Sequence, residues 1–492
     1  MNILLINPKY PDTFWSFKHA LKFIAKKASM PPLGLLTVGA MLPKEWHKKL
    51  VDTNISKLTD EHIEWADMIF IGGMIVQKDS SQEIITRCKS MGKTVVAGGP
   101  LFTTQHEKFK GVDHFILNEA EVTLPMFLKD FEEKTLKPVY TSNIRPDITQ
   151  TPIPLWSLIN LDDYSTMAIQ FSRGCPFNCE FCDIVIMNGR NPRTKTSEQL
   201  IAEFQSLYDA GWRRGIFIVD DNFIGHKSKV KEMLAKLIEW QKEHKYPFTL
   251  LTEASTNLAD DRELMQLMST ANFNAVFLGL ETPHVDSLNE CGKFQNATRN
   301  MVDAVKTIHQ NGMQVFGGFI VGFDSDNEKI FETQIGFIQQ IGVVTAMVGM
   351  LGALPQTRLW HRLKSEGRLL SETTGENTDV NISFVPKMGK ETLINGYKKI
   401  ISTIYNPKLY YKRINIFLKN YRPTVRNRIS PSDISAFIRS IWKIGILSRA
   451  RMQYWKLILK TSFTKRKLFP LAVELAIKGQ HFEKISKRIL LA

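Results

Sequence analysis

Ser172-Arg-Gly-Cys175-Pro-Phe-Asn-Cys179-Glu-Phe-Cys182-Asp183 holds three of the five cysteines in a chain of 492 residues. The spacing is C-x3-C-x2-C, with the aromatic Phe181 just before the last cysteine. Three thiolates on one short loop can hold three irons of a [4Fe–4S] cluster and leave the fourth iron open to a small molecule. The other readings are a three-cysteine zinc site that needs a distant ligand, and three thiols without a metal. A structural zinc site closes with a second Cys or His pair, and the chain has no second C-x2-C and no H-x3-H. An all-thiolate set favours the cluster.

Upstream, Met167–Phe171 reads as a strand running directly into this loop. Downstream, short apolar runs at Gly215–Val219, Phe248–Leu251, Ala275–Leu280, Gln314–Val321 and Val343–Met350 read as further strands, with helices such as Ser197–Ala210 and Ser228–Glu243 between them. Six strand–helix units predict a partial (β/α)6, TIM-like barrel with its chemistry at the carboxyl ends of the strands. Asp220-Asp221-Asn222, Glu253-Ala-Ser255, Gly279-Leu-Glu281 and Gly318-Phe-Ile320-Val-Gly322 fall at four of those ends. Carboxylate and amide oxygens accept from an ammonium or hydroxyls. Each motif also has a plain reading: Asp220 to Asn222 as a helix cap, the glycines as turns. Tyr164 and Trp156 read as substrate lining or as aromatic core.

Residues 1–140 alternate strands and helices in the same way. Asn2–Ile6, Lys49–Val51, Met68–Ile71, Thr94–Ala97 and His114–Leu117 read as strands, with Leu33–Leu42 helical. The pattern predicts a doubly wound, Rossmann-like parallel sheet whose ligand lies beyond the strand ends, where Gly72-Gly73-Met74 and Gly98-Gly99 stand. Neither G-x-G-x-x-G nor a P-loop is present, which disfavours a dinucleotide or ATP. Residues 141–160, with Pro146, Pro152 and Pro154, read as a linker before a barrel domain over 161–390.

The cysteine loop resembles the signature of the radical S-adenosylmethionine (SAM) enzymes, and residues 1 to about 390 resemble their cobalamin-binding branch, nearest to hopanoid C-2 methylase-like proteins. The resemblance implies that Cys175, Cys179 and Cys182 bind a [4Fe–4S] cluster. It gives Asp220, Asp221, Asn222, Glu253, Ser255, Glu281, Gly318, Ile320 and Gly322 to SAM, with Arg173, Arg190, Arg193 and Lys195 as candidates for its carboxylate. It gives cobalamin to the first domain, near Gly72, Gly73, Met74, Gly98, Gly99 and Asn54. Many such domains carry Asp-x-His-x-x-Gly; here Asp52-Thr-Asn54-Ile-Ser-Lys57 lacks both His and Gly, so no His ligand beneath the cobalt is expected. Asn118-Glu119-Ala-Glu121 also matches the relatives and is otherwise an ordinary helix start. The family's terminal Glu after the fifth strand is replaced by Ser325.

The implied chemistry is methylation of an unactivated carbon. The reduced cluster cleaves SAM, the deoxyadenosyl radical takes a hydrogen from the substrate, and methylcobalamin supplies the methyl group. An electron donor such as flavodoxin or ferredoxin follows from it, and a hopanoid-like lipid is the expected substrate. The alternatives are ring closure or rearrangement without methyl transfer, and an RNA-modifying Fe–S protein. The RNA methylthiotransferases carry a second cysteine cluster, whereas residues 1–140 hold only Cys88.

Net charge is +15, yet from Glu391 onward 22 Lys and Arg face 4 Asp and Glu, so the basic character belongs to a C-terminal module over 391–492. Its aromatic, aliphatic and basic residues in short helical pieces read as a peripheral membrane surface, as a cap on the barrel, or, without a recognisable RNA-binding motif, least well as a nucleic-acid surface. No apolar run is long enough to span a bilayer, no signal peptide is visible, and clustered free cysteines fit a reducing cytoplasm.

Overall fold

The structure is a computed structural model that describes residues 1–424 and 429–491. The first sheet is all parallel, formed by β1 (Asn2–Asn7), β2 (His47–Asp52), β3 (Met68–Gly72), β4 (Thr94–Gly98), β5 (His114–Ile116) and β6 (Val139–Tyr140), in the order β2-β1-β3-β4-β5-β6. Separate apolar clusters cover its two faces, one around Ile69 and Phe102, the other around Phe70 and Phe127. Strands buried on both faces are near-continuous apolar runs, as Ile3–Ile6 is. The chain leaves β1 toward β2 and returns to β3 on the other side. The strand order therefore reverses between β1 and β3, and a crevice opens at their carboxyl ends.

The second sheet contains β7 (Thr166–Ile169), β10 (Gly215–Ile218), β11 (Thr249–Ala254), β12 (Phe273–Glu281), β13 (Gln314–Val321) and β14 (Ala346–Met350). These six strands are parallel and adjacent in chain order, as the strand–helix alternation predicts. Between β7 and β10 lies a two-residue antiparallel hairpin, β8 (Ser172–Arg173) with β9 (Arg193–Thr194), which carries the cysteine loop. Inward and outward residues alternate along the barrel strands: Leu250, Thr252, Val276 and Leu278 are fully buried, while Leu251, Glu253, Phe277 and Gly279 keep some exposure to the barrel interior.

Six strands do not close a barrel, so β7 and β14 are edges. Ala28 bridges to Tyr164 and Thr166 N donates to Ser29 O (3.0 Å) along the β7 side. On the β14 side Tyr405 Oη donates to Ala346 O (2.6 Å). The residues between these edges come from both chain ends: Phe14 stacks on Phe482 with centroids 4.5 Å apart, and a ring nitrogen of His481 lies 2.9 Å from Phe14 O. The C-terminal module is helical, with helices Lys390–Ile404, Pro407–Asn420, Pro431–Ser440, Arg451–Thr464 and Phe469–Leu491. Its core is continuous with that of the barrel.

Candidate active site

The cysteine loop is anchored from three directions. Gly174 has φ of 101°, and a Cβ there would lie 3.0 Å from Gly189 O and 3.1 Å from Asn191 O, so only glycine fits this corner. Gly174 N donates to Asp221 Oδ2 (2.8 Å) and Cys175 N to Gly189 O (3.2 Å). Farther along, Glu180 N donates to Cys291 O (2.8 Å), and the Glu180 carboxylate takes a two-point grip from Arg362 (2.7 and 3.1 Å). The three thiols sit half-buried at the barrel mouth. Burial pushes all three above the ordinary thiol range, and the Lys293 ammonium opposes this at Cys175 and Cys179.

The expected SAM residues gather around this loop in two groups. Asp220 is buried and turned inward, accepting from Phe171 N (2.8 Å), Ser172 N (2.9 Å) and Ser172 Oγ (2.7 Å). Burial pushes its pKa up to about 7 against those three donors. Asp221 is likewise engaged, by Gly174 N and Asn188 Nδ2 (2.8 Å each). Asn222 differs: its amide lies 3.8 Å from Cys175 Sγ and 3.3 Å from Ser255 Oγ. Among the described residues nothing hydrogen-bonds or ion-pairs with Glu253, and burial, with Asp221 and Asp220 nearby, raises its pKa to about 8. A buried carboxylate without a partner is costly, and its natural complement is a cationic or hydroxyl-bearing ligand.

Glu281 does have a partner. It holds φ of 60° at the end of β12 and pairs with Lys293, whose ammonium also faces the Phe181 ring at 5.9 Å. Lys293 was not among the residues singled out from sequence; it follows a short helix and no local pattern marks it. Gly318 faces Phe277, whose ring would lie 2.9 Å from an added Cβ, and Gly322, at φ of 100°, sits against Leu393. Ile320 keeps some exposure in the same strand.

Three of the four basic candidates already have anionic partners. Arg173 binds Glu121 (2.7 and 3.0 Å) and Glu119 (2.8 Å), Arg193 binds Glu119 (2.8 and 3.0 Å), and Lys195 pairs with buried Glu203. Arg190 alone stays exposed, reaching only Pro176 O (3.3 Å). The Asn118–Glu121 stretch is thus more than a helix start. It joins the first domain to the hairpin beneath the cysteines.

In the first domain Asn54 donates to Asp52 Oδ1 (2.7 Å) and Pro8 O (3.1 Å) and accepts from Tyr10 N (2.8 Å). Its amide is therefore committed to the loop after β1. Gln77 fixes the same loop through Pro8 O (2.5 Å) and the next through Met74 N (2.9 Å). The two glycine pairs touch one another: Gly73 N donates to Gly98 O (3.3 Å), and a Cβ on Gly99, at φ of 92°, would lie 3.2 Å from Gly73 O. Gly72 packs under Leu35. Met74 is 50% exposed and accepts from Tyr10 Oη (3.5 Å) at the lip of the crevice.

The radical SAM superfamily pattern matches residues 169–338, and a domain family of unknown function (DUF4070) matches residues 357–491. An uncharacterized methyltransferase of Synechocystis sp. is 44% identical over 92% of this chain and 86% of its own length. The hopanoid C-2 methylase of Rhodopseudomonas palustris is 33% identical over 93% of this chain and 89% of its own length. The chain belongs to the radical SAM methyltransferases, in the family of the hopanoid C-2 methylase. Its fold is shared with the cobalamin-dependent radical enzyme OxsB, solved with aqua-cobalamin bound, at a TM-score of 0.65 and 15% identity over all of this chain and 80% of that one. The methyltransferase TsrM from Kitasatospora setae, with cobalamin and a [4Fe–4S] cluster, aligns at 0.58 and 14% identity over 76% of this chain and 79% of that one.

The residues present in this radical SAM chain fit the groups its family uses. Three thiols from one loop supply a soft, all-sulfur donor set. Among the described residues no three Cys, His, Asp or Glu side chains, these thiols included, stand together as they would around a single metal ion. Tyr10 and Met74 stand at the switch point of the first sheet, and both polar atoms of the Asn54 side chain already have partners.

Proposed function

We propose that this chain is a cobalamin-dependent C-methyltransferase acting on an unactivated carbon of a hopanoid-like lipid. The observation that carries this reading is the relation to hopanoid C-2 methylase across nearly the whole chain, together with the cysteine loop and the free Glu253 at one mouth. Cys175, Cys179 and Cys182 would hold the [4Fe–4S] cluster, and the loops Asn7–Tyr10, Gly72–Gln77 and Gly98–Gly99 the cobalamin. When bound, these groups supply the electron that breaks SAM and the methyl group that is transferred, with a small redox protein as electron source.

The chain's own residues do the positioning. Asn222 holds Ser255 beside the cysteines, ready for the hydroxyls or amino group of a nucleoside ligand. Glu253 offers both oxygens to an ammonium in a mouth of low dielectric, where such a pair is far stronger than in water. The inward faces of Leu251, Phe277 and Ile320 give an apolar wall that excludes water from a reactive intermediate. The Glu119–Arg173–Glu121 joint holds the first domain against the cysteine hairpin, so the two strand-end openings stay in register.

The test is anaerobic turnover of reconstituted protein with methyl-labelled SAM, a reductant and a polycyclic triterpene. A labelled product heavier by one CH2 unit is expected. Deoxyadenosine without labelled product would overturn methyl transfer, and an unlabelled product lighter by two hydrogens would mark ring closure.

A further inference from the structure

Helix Pro431–Ser440 continues into the π-helical turn Ile441–Ile446. Along this rod Ile434, Ile438 and Trp442 recur every fourth residue and point outward, followed by Leu447, with exposures of 56, 61, 61 and 66%. The next helix, Arg451–Thr464, adds Leu459 and Phe463, the latter 75% exposed. The rod and this helix pack through their other faces: Ser440 Oγ meets Tyr454 Oη at 2.7 Å and Trp455 Nε1 donates to Gly445 O at 3.0 Å. Contiguous large apolar side chains left in water mark an interaction surface.

What covers this face is indicated by its charge. Ser430 to Lys467 carries nine Lys and Arg and a single acid, Asp433. Lys443 and Leu447 also line the rim of a cavity of about 580 Å³ between the Lys22–Phe23 segment and the last helix. Lys22, Arg449, Lys484 and Lys487 line it as well; its one carboxylate, Glu483, already pairs with Lys487 at 2.6 Å. A second copy of the chain would bring like charge against like charge. Nucleic acid would satisfy the cations and leave the aliphatic ridge in water. An anionic bilayer answers both features, since apolar side chains enter the acyl boundary while Lys and Arg meet lipid phosphates.

We propose that this face docks the protein on an anionic membrane surface, with the Ile434–Leu447 ridge and Phe463 in the interface and the adjoining basic cavity receiving a lipid phosphate. Among the described residues no helix is long and apolar enough to cross a bilayer, so the attachment is peripheral. The proposal rests on this surface alone and holds whatever the enzyme methylates.

Flotation of the full-length holoprotein tests it, without substrate or turnover. Vesicles of phosphatidylcholine with phosphatidylglycerol are expected to bind it at least tenfold better than phosphatidylcholine alone, with release by high salt. Lys443→Ala with Arg449→Ala should lower partitioning to the anionic vesicles about twenty-fivefold, at about fivefold per cation. Trp442→Ser with Phe463→Ser should weaken it at least about tenfold, with melting temperature and iron content unchanged. Equal binding to both vesicles, or no binding to either, overturns the proposal. So does displacement by inorganic phosphate matched to the lipid phosphate, which marks a soluble-ion site. Concentration-dependent dimers that Trp442→Ser dissolves would show that a second copy covers the face.

Discussion

Replacing Glu119 by Gln cuts the joint between the first domain and the cysteine hairpin. Glu119 accepts four charged hydrogen bonds, one from Arg173 (2.8 Å), two from Arg193 (2.8 and 3.0 Å) and a longer one from Arg145 (3.5 Å), and its side chain is 8% exposed. Gln keeps one oxygen acceptor, so one or two of these bonds are lost, at about 1.5–3 kcal/mol each for a charged partner. Breaking one member of a buried ion pair costs about 3–5 kcal/mol. Arg173 retains Glu121, and Arg193 retains Pro146 O at 2.8 Å and Asn188 O at 3.1 Å, which favours the lower end, about 3 kcal/mol. That is a large share of the roughly 5–15 kcal/mol that holds a protein folded. The assay is anaerobic urea unfolding of Glu119→Gln, Arg193→Gln and the double variant, followed by fluorescence. A coupling of about 1.5 kcal/mol or more between the two sites is expected. Hydrogen bonds from Arg173 and Thr151 hold the Glu121 carboxyl below its usual pKa despite burial. A depressed folded pKa gives stability present above about pH 4.5 and lost as pH falls through the folded value, so the joint should loosen in acid. A single-variant cost below about 0.5 kcal/mol, the level of an ordinary surface substitution, would refute the view that this network clamps the domains.

Cys175→Ser, Cys179→Ser and Cys182→Ser should each remove most of the iron and sulfide and the visible charge-transfer absorbance, with circular dichroism unchanged; full iron retention in any one would remove that residue from the ligand set. Glu253→Gln should stabilise the ligand-free protein by about 1–2 kcal/mol at pH 8, discounted for its access to solvent. A carboxyl with a raised folded pKa loses stability as pH rises from about 4.5 to 8, so the variant's urea midpoint should vary less over that range. The same change should weaken SAM binding about tenfold by calorimetry, and unchanged affinity would remove Glu253 from the ligand site. Lys293→Met should destabilise by about 3 kcal/mol by leaving Glu281 buried and unpaired; adding Glu281→Gln should recover most of the loss, which thermal melts will read.

Most strands of both sheets are legible in the sequence because parallel strands are apolar runs, several of them ended by Gly or Asp. Two elements are not. β6 is two residues long and is held by Phe115 and Ile116 across the sheet, so the first domain's last strand has no signature of its own. The β8–β9 hairpin pairs only Ser172 and Arg173 with Thr194 and Arg193, and no two-residue pairing can be read from period. At the site, Cys175, Cys179 and Cys182 announce themselves because the ligands are close in sequence. Lys293 with Glu281, Arg362 with Glu180 and Arg173 with Glu119 do not, since ion pairs 12, 182 and 54 residues apart leave no local pattern. Asp220 is opaque for a related reason. An acid at a strand end looks ready for a ligand, and only the fold shows that its oxygens are taken by the backbone of the neighbouring strand end.

An open six-stranded barrel leaves two unpaired edges, and exposed edges pair with other chains. In this protein the outer side of β7 is met by Ala28 and Ser29, and β14 by the helical module, through Tyr405 to Ala346 O and through Arg413. Arg413 is fully buried and, among the described residues, pairs with no acid; it donates to Ile404 O at 2.7 Å and Val344 O at 3.4 Å while its plane faces Tyr405 and Tyr410. A guanidinium in that position satisfies the last carbonyl of helix Lys390–Ile404 and reaches the Val344 carbonyl just ahead of β14. The first sheet is held to the same structure by Tyr164, whose hydroxyl donates to Asp52 Oδ2 at 3.0 Å, and by Lys78 to Glu372 at 3.3 Å from the segment that follows β14. Hence the helical module and the residues around Ala28 and Ser29 cover the barrel's edges, while Tyr164 and Glu372 tie the first sheet to the barrel, so a change at Tyr164 is expected to alter how the crevice at β1 and β3 meets the cysteine loop.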